Sequence, residues 1–188
     1  MRIVRALSVL VVCSAGCASF SSVPSLPDYR GPAHPVPLQL VVSERVMQQD
    51  GDKWNDQSGP TPLANSARGL IRKTGWLDEH PYDEGSARLD VIITNYQSDG
   101  PGYVAILSGL LLPGVIDNRI ELAASLTAPN GASLDCVRQA QVRSWYQWLL
   151  IFAYPLRAPK DVRVRTADAL ALQCTAELLE KAGFAASP

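Results

Sequence analysis

Four segments of the chain alternate apolar and polar residues, which is the pattern of a β-strand with one buried face. In the first segment Val36, Leu38, Leu40 and Val42 fall on one side, and in the second Leu89, Val91 and Ile93 do. The pattern therefore predicts four strands, over 36–47, 88–97, 118–128 and 133–145.

Two further segments have the spacing of an amphipathic helix. The first covers 64–77, where Asn65 or Ser66 is a candidate cap, and it follows a polar segment, 48–62, that is predicted to be a loop. The second covers 161–182 and places Cys174 on its apolar face. The predicted order is β-α-β-β-β-α, so we expect an α+β fold: a mostly antiparallel four-stranded sheet with two helices on one face.

Two stretches, 103–116 and 145–156, are apolar without alternating, and each is too short to span a bilayer as a helix. The first joins predicted strands two and three, and the second joins strand four to the last helix. Pro129-Asn130-Gly131 predicts a tight hairpin turn between strands three and four. Both apolar stretches should therefore lie at the end of the sheet opposite that turn.

The second stretch places tryptophan and tyrosine residues among Arg143, Arg157, Lys160, Arg163 and Arg165. This composition suits an anionic membrane surface and equally a protein-binding patch. A third interpretation is that the stretches cover each other and close the core. The candidate contact residues are Leu110, Leu111, Leu112, Trp145, Trp148 and Phe152.

The first sixteen residues have the order of an export signal: Arg2 and Arg5, an apolar run, and then small residues. Ser14-Ala15-Gly16-Cys17 resembles the bacterial lipobox, in which the cysteine is acylated and becomes the new N-terminus. An ordinary signal with a chance cysteine is the alternative. By resemblance to the sorting rule of enteric bacteria, Ala18 favours the outer membrane, facing the periplasm. We expect a signal over 1–16, a lipidated Cys17 with a flexible tether to 35, and a periplasmic domain over 36–188.

Charge and cysteine usage fit this compartment. The signal carries two of the 17 basic residues and none of the 18 acidic ones, so the mature net charge is −3, which does not favour nucleic acid. With Cys13 removed and Cys17 lipidated, Cys136 and Cys174 remain. An even pair in an oxidising compartment predicts a disulfide, with two buried thiols as the alternative.

No motif of an enzyme, metal site or cofactor site is found. The Gly-x-Ser-x-Gly, Walker and His-Glu-x-x-His patterns do not occur. Asp50, Asp52 and Asp56 resemble a calcium loop only superficially, because Trp54 occupies a ligand position. We therefore expect neither catalysis nor a bound metal or cofactor.

The stretches at 110–114 (LLLPG) and 148–156 (WLLIFAYPL), together with the export signal, resemble a family of small uncharacterised Gram-negative envelope lipoproteins. The architecture is also similar to accessory lipoproteins of envelope assembly, such as the one that supports lipopolysaccharide assembly. The resemblance implies a binding or accessory module that contacts a membrane or an envelope complex, and it carries over no functional residue. The alternative is a carrier of a lipid or another apolar molecule. The oligomeric state is left open.

Overall fold

The computed structural model describes residues 20–21, 31–32, 34–50, 53–57, 62–79, 86–98, 114–146 and 159–184. In this part of the chain, seven strands form one sheet and two helices pack against it. The strands are β1 (Phe20–Ser21), β2 (Val36–Asp50), β3 (Lys53–Gln57), β4 (Leu77–Glu79), β5 (Ala87–Gln97), β6 (Gly114–Thr127) and β7 (Ser133–Tyr146), and the helices are α1 (Pro62–Lys73) and α2 (Pro159–Lys181).

The α+β class and all four predicted strands are confirmed, and most pairings are antiparallel as predicted, but the sheet is larger than the predicted four-stranded one. It has seven strands, in the order β1-β7-β6-β5-β2-β3 with β4 also on β2, and it is mixed. β2 pairs in parallel with both β4 and β5, whereas the other pairings are antiparallel. The parallel pairing of β2 and β5 is possible because the connection between them contains α1 and is long enough to return to the same end of the sheet.

One face of the sheet builds the core. Alternate residues of β2, β5, β6 and β7 are buried, and both helices pack on that side, with α1 against β2 and β5 and α2 against β6 and β7. The fully buried side chains with the largest volumes include Leu38, Ile71, Leu89, Leu122 and Leu178, which come from both helices and the central strands. The alternation read from the sequence thus identified the core face correctly.

The segment 48–62, predicted to be a loop, contains the end of β2 and the whole of β3. Five residue pairs, from Val46↔Gln57 to Asp50↔Lys53, join the two strands into a hairpin. The residues of β3, KWNDQ, are mostly polar and do not alternate with apolar ones. An edge strand of this kind is held by backbone pairing, which leaves no hydrophobic pattern to detect.

Helix α1 begins and ends earlier than its apolar spacing predicted. Its first residue is Pro62, which is favoured there because the missing N–H would have no partner within the helix. It ends at Lys73 because Gly75 takes a left-handed conformation with φ of 69°. Its N-terminal amides bind Glu44 of β2, so neither Asn65 nor Ser66 is the cap.

The predicted disulfide is present. Cys136 of β7 and Cys174 of α2 are bonded, with 5.6 Å between their Cα atoms and a sequence separation of 38. Both residues face the core, since Cys136 lies on the buried side of β7 and Cys174 on the buried side of α2. The bond fastens the last helix to the sheet.

The segment 17–35, predicted to be a flexible tether, contacts the domain at two places. Phe20 and Ser21 form β1 opposite Arg143 and Val142 on the edge of β7. Gly31 is buried with φ of 72°, and a Cβ atom there would lie 2.3 Å from Nε1 of Trp76. Backbone pairing and one close approach to an indole thus hold residues that lack any apolar periodicity.

Candidate binding end of the sheet

Most of the predicted contact residues lie outside the described part of the chain: Leu110, Leu111, Leu112, Trp148 and Phe152. Trp145 belongs to β7, where only its backbone position is described. Cys17 also lies outside the described residues. The geometry of the candidate site is therefore set by the strands that flank the two apolar stretches.

These flanking strands meet at one end of the sheet. β6 and β7 pair without interruption, and Gly114↔Tyr146 and Val115↔Trp145 are the last pairs at the end where both stretches leave the sheet. The hairpin turn lies at the other end, where Gly131 N donates to Ala128 O at 2.9 Å. Thirteen steps along the strands separate the two ends, a distance of about 43 Å. We call the Gly114/Tyr146 side the binding end.

Two other parts of the fold lie at the binding end. The β2–β3 hairpin is there because Gln48 pairs with Gln97 and Gln97 pairs with Asn118. Strand β1 is there too, because Phe20 lies opposite Arg143, only three residues before the end of β7. The N-terminal segment therefore approaches the sheet close to the apolar stretches.

The basic residues around the second stretch are partly engaged by acids. Nε of Arg143 donates to Oδ1 of Asp117 at 2.7 Å, and Arg163 interacts electrostatically with Glu44. Arg165 is exposed, whereas Arg157 lies outside the described residues. The excess of positive charge read from the sequence is thus smaller at this end than a count of arginines implies.

The face of the sheet that bears no helix is polar and ion-paired. Arg88 and Asp90 form an ion pair at 2.7 Å, and the guanidinium of Arg119 lies 4.2 Å from the centre of the Tyr96 ring. Val137 is an exposed apolar residue on this face, with 62% of its surface accessible. Ile92 and Ala123 lie beside Val137 on the neighbouring strands, so this face combines charged pairs with a short apolar row.

Polar side chains are buried on the helix side near the binding end. Asn95, Asn118 and Ser144 lie on three adjacent strands, offset by two residues each, and are 4%, 6% and 0% exposed. Within the described part of the chain, Oδ1 of Asn95 and Oγ of Ser144 have no hydrogen-bond partner. Burying such atoms without a partner costs about 1–3 kcal/mol each. Sequence reasoning missed this row, because the alternation within each strand does not show which residues of neighbouring strands lie side by side.

A second polar cluster lies between the helices and β2. Oε2 of Glu44 accepts hydrogen bonds from the backbone N–H groups of Leu63 at 2.9 Å and Ala64 at 3.3 Å. Burial raises the pKa of Glu44 above its ordinary value, although these two bonds and Arg163 act in the opposite direction. Burial also raises the pKa of Asp168, whose Oδ2 accepts from Oγ of Ser66 at 2.9 Å.

These contacts assign the second cluster to folding. A carboxylate on β2 satisfies amides that α1 cannot satisfy itself, and Ser66–Asp168 joins α1 to α2.

Within the described ranges, no group of three or more His, Cys, Asp or Glu residues could hold a metal ion. No helix of the described chain is long and apolar enough to cross a membrane.

No family model matches the chain, and no curated protein matches it. The chain is similar at low identity to several solved structures, three of which follow. Rare lipoprotein B from Shewanella oneidensis is 15% identical with a TM-score of 0.42, over 78% of this chain and 98% of that one. A minor lipoprotein from Acinetobacter baumannii is 15% identical with a TM-score of 0.40, over 82% and 100%. A Xanthomonas campestris protein of the DUF330 family is 11% identical with a TM-score of 0.40, over 85% and 97%. Likenesses this distant assign no function to the chain.

Proposed function

We propose that this chain is an exported lipoprotein of the Gram-negative envelope, acylated on Cys17 and held on the periplasmic side of the outer membrane. It acts by binding, as an accessory or assembly module, and has no catalytic role. Its apolar stretches contact a membrane or an envelope complex through Leu110, Leu111, Leu112, Trp145, Trp148 and Phe152. The anchor part of this proposal rests on the Ser14-Ala15-Gly16-Cys17 motif.

The pairing of β6 with β7 is the observation that carries the binding part. Because Gly114 lies opposite Tyr146, both apolar stretches start from neighbouring strand ends. Connections between strands are normally polar, since they run over the surface. We therefore expect the two apolar connections, which leave the same end of the sheet, to act as one contact region.

The polarity of the remaining surface supports the same assignment. The open face carries the Arg88–Asp90 ion pair towards the turn end, which an apolar partner there would have to desolvate. The β2–β3 hairpin beside the binding end is also mostly polar. Contact through the binding end leaves these charges in water.

Acylation of Cys17 can be tested by expressing the full chain in a Gram-negative host. Intact mass of the membrane-extracted protein should show loss of residues 1–16 and addition of acyl chains. Cys17→Ser should abolish both, whereas Cys13→Ser, a matched change within the predicted signal, should leave them intact. A mature protein without acyl groups would refute the anchor.

Membrane contact by the binding end can be tested without the anchor. The chain beginning at Ala18 should sediment with anionic vesicles, and Trp145→Ala with Trp148→Ala should abolish this while the circular dichroism spectrum is unchanged. Val137→Ala and Phe184→Ala are matched controls, because both remove exposed apolar surface elsewhere. Failure of the unsubstituted chain to sediment would eliminate the membrane as a partner of this end. The stretches would then either close the core or bind a protein complex, which cross-linking in cells distinguishes.

The second candidate is a carrier of a lipid or another apolar molecule. The buried row of Asn95, Asn118 and Ser144 favours it, because polar atoms inside an apolar site can orient the head of a ligand. Native mass spectrometry of the protein in its folded state should then reveal a bound lipid. Asn95→Ala and Ser144→Ala should lower its occupancy, whereas Ser133→Ala at the opposite end should not.

A further inference from the structure

The position of strand β1 determines where the lipid anchor can lie. Phe20 pairs with Arg143 and Ser21 with Val142, in antiparallel register. Moving backwards from Phe20 along the chain therefore leads in the direction of Tyr146, the last residue of β7. Strand β1 thus points, from Ser21 to Phe20, towards the binding end and away from the hairpin turn.

The length of the polypeptide between Cys17 and β1 limits how far the anchor can lie from each end of the sheet. Cys17 precedes Phe20 by three residues, and consecutive Cα atoms are about 3.8 Å apart, so its Cα lies within about 11 Å of that of Phe20. Arg143, opposite Phe20, is itself three residues, or about 10 Å, from Tyr146. Ser133, at the far end of β7, is ten residues, or about 33 Å, from Arg143. The anchor can therefore reach the binding end but not the turn end.

We infer that β1 fixes the orientation of the domain on its bilayer. With acyl chains on Cys17, the binding end faces the membrane that holds the lipid, and the Pro129–Gly131 turn points away from it. The inference rests on the proposed acylation of Cys17. It deepens the proposed function because it selects, from the two partners considered for the binding end, the lipid surface of the same membrane.

Pairing of β1 with β7 also limits how freely the domain can move relative to its lipid anchor. A flexible tether of 19 residues would let the domain sample a root-mean-square distance of about 24 Å from its lipid and rotate freely. Pairing of Phe20 and Ser21 with β7 shortens the free segment to three residues. The domain and the anchor then bind the membrane as one unit, so weak apolar contacts at the binding end gain from a high effective concentration.

The test uses the natively acylated protein and two single-cysteine probes. Asp117 and Ser133 are both exposed, both lie on the open face, and are separated by about 33 Å along the β6–β7 hairpin. In Asp117→Cys or Ser133→Cys the introduced thiol is the free one available, because Cys17 is acylated and Cys136 and Cys174 are bonded. Each thiol receives a fluorescent donor, and the protein is reconstituted into vesicles that contain a headgroup-labelled acceptor lipid.

Energy transfer should be several-fold stronger from position 117 than from position 133. A flexible Gly/Ser linker of about 20 residues between Ala18 and Ser19, with an end-to-end distance of about 25 Å, should reduce the difference, because the binding end is then held at the membrane by its own weak contacts alone. The same linker added after Pro188 should leave the difference intact. Circular dichroism verifies that each labelled protein is folded.

Equal transfer from the two positions in the unmodified protein would overturn the inference, as would stronger transfer from position 133. The intact mass separates this failure from failure of the proposed function. If acyl chains are present and transfer is equal, the anchor stands and the fixed orientation is wrong. If acyl chains are absent, both the anchor and the orientation fail.

Discussion

The Cys136–Cys174 bond gives the sharpest prediction about stability. It closes a loop with a sequence separation of 38 residues, formed by most of β7, the second apolar stretch and about two thirds of α2. Reducing the bond frees this loop in the unfolded chain and leaves the folded contacts almost unchanged. Loop-closure entropy for about 39 residues is about 13 cal/mol/K, so we expect the free energy of unfolding to fall by about 4 kcal/mol at 25 °C.

That loss is large against the total stability of a domain, typically about 5–15 kcal/mol. It should appear as a decrease in Tm of roughly 8–16 °C, since a chain of this size loses about 2–4 °C per kcal/mol. Because both cysteines are almost fully buried, the bond has to be reduced in denaturant before refolding. Urea unfolding followed by circular dichroism gives the free energy, and the slope with urea should increase because the reduced unfolded chain exposes more surface.

Two variants separate the cross-link from packing. Cys136→Ala with Cys174→Ala removes the bond and the two sulfur atoms, so it should be less stable than the reduced parent protein. Cys13→Ser, a change within the predicted signal, is absent from the mature chain and should have no effect. A difference below about 1 kcal/mol between oxidised and reduced protein would refute the entropic reasoning, because that reasoning requires a loop of this length to contribute several times more.

Substitutions of Glu44, Gly31 and Leu122, two of them with a control variant, test local contacts by urea unfolding. Glu44→Ala should cost about 1 kcal/mol, because it leaves the amides of Leu63 and Ala64 without their acceptor. Glu44→Gln should keep an acceptor for these amides. Because burial raises the folded pKa of Glu44 above its ordinary 4.5, the parent protein should lose stability relative to Glu44→Gln as pH rises from 4.5 towards neutral. A gain in relative stability over this pH range would contradict the argument. Gly31→Ala should lower the free energy of unfolding by more than about 1 kcal/mol, because Gly31 has a positive φ and a Cβ atom there would clash with Trp76. As a control, Gly69→Ala, in open space within α1, should raise the free energy of unfolding by about 0.5–1 kcal/mol. Leu122→Ala should cost about 2–5 kcal/mol as a cavity in the core, and a cost below 1 kcal/mol would place Leu122 outside it.

The parallel pairing of β2 with β5 was not predicted, although the sequence contains a signal for it. A helix between the first two predicted strands is the connection that a parallel pair requires. The alternation of Leu38 and Leu40 shows only which face is buried, and it is the same for a parallel or an antiparallel neighbour. The pairing of Val42 with Val91 was therefore decided by the crossover through α1.

The short strands β1 and β4 had no detectable signal. Phe20–Ser21 and Leu77–Glu79 are too short to show alternation, and they join the sheet through backbone groups that every residue carries. Glu44 also had no detectable sequence signal, because its role as the acceptor for α1 depends on its contact with Leu63, which lies 19 residues further along the chain. Sequence reasoning correctly predicted that the start of β6 and the end of β7 lie at the end of the sheet opposite the turn, but it could not find the buried polar row of Asn95, Asn118 and Ser144.

The sequence by itself determined what depends on each segment's contact with water. Strand and helix periods and the core face follow from which side chains must leave water. The Asn-Gly turn follows from the backbone preference of its residues, and the Cys136–Cys174 bond was predicted from an even pair in an oxidising compartment. Only the tertiary structure decided what depends on two segments meeting: the parallel pairing of β2 and β5, the amide acceptor Glu44, the close approach of Gly31 to Trp76, and the placement of β1 beside Arg143. Backbone hydrogen bonds supply most of these contacts, and because they are the same for nearly all residues, the packing of the whole chain selects among them.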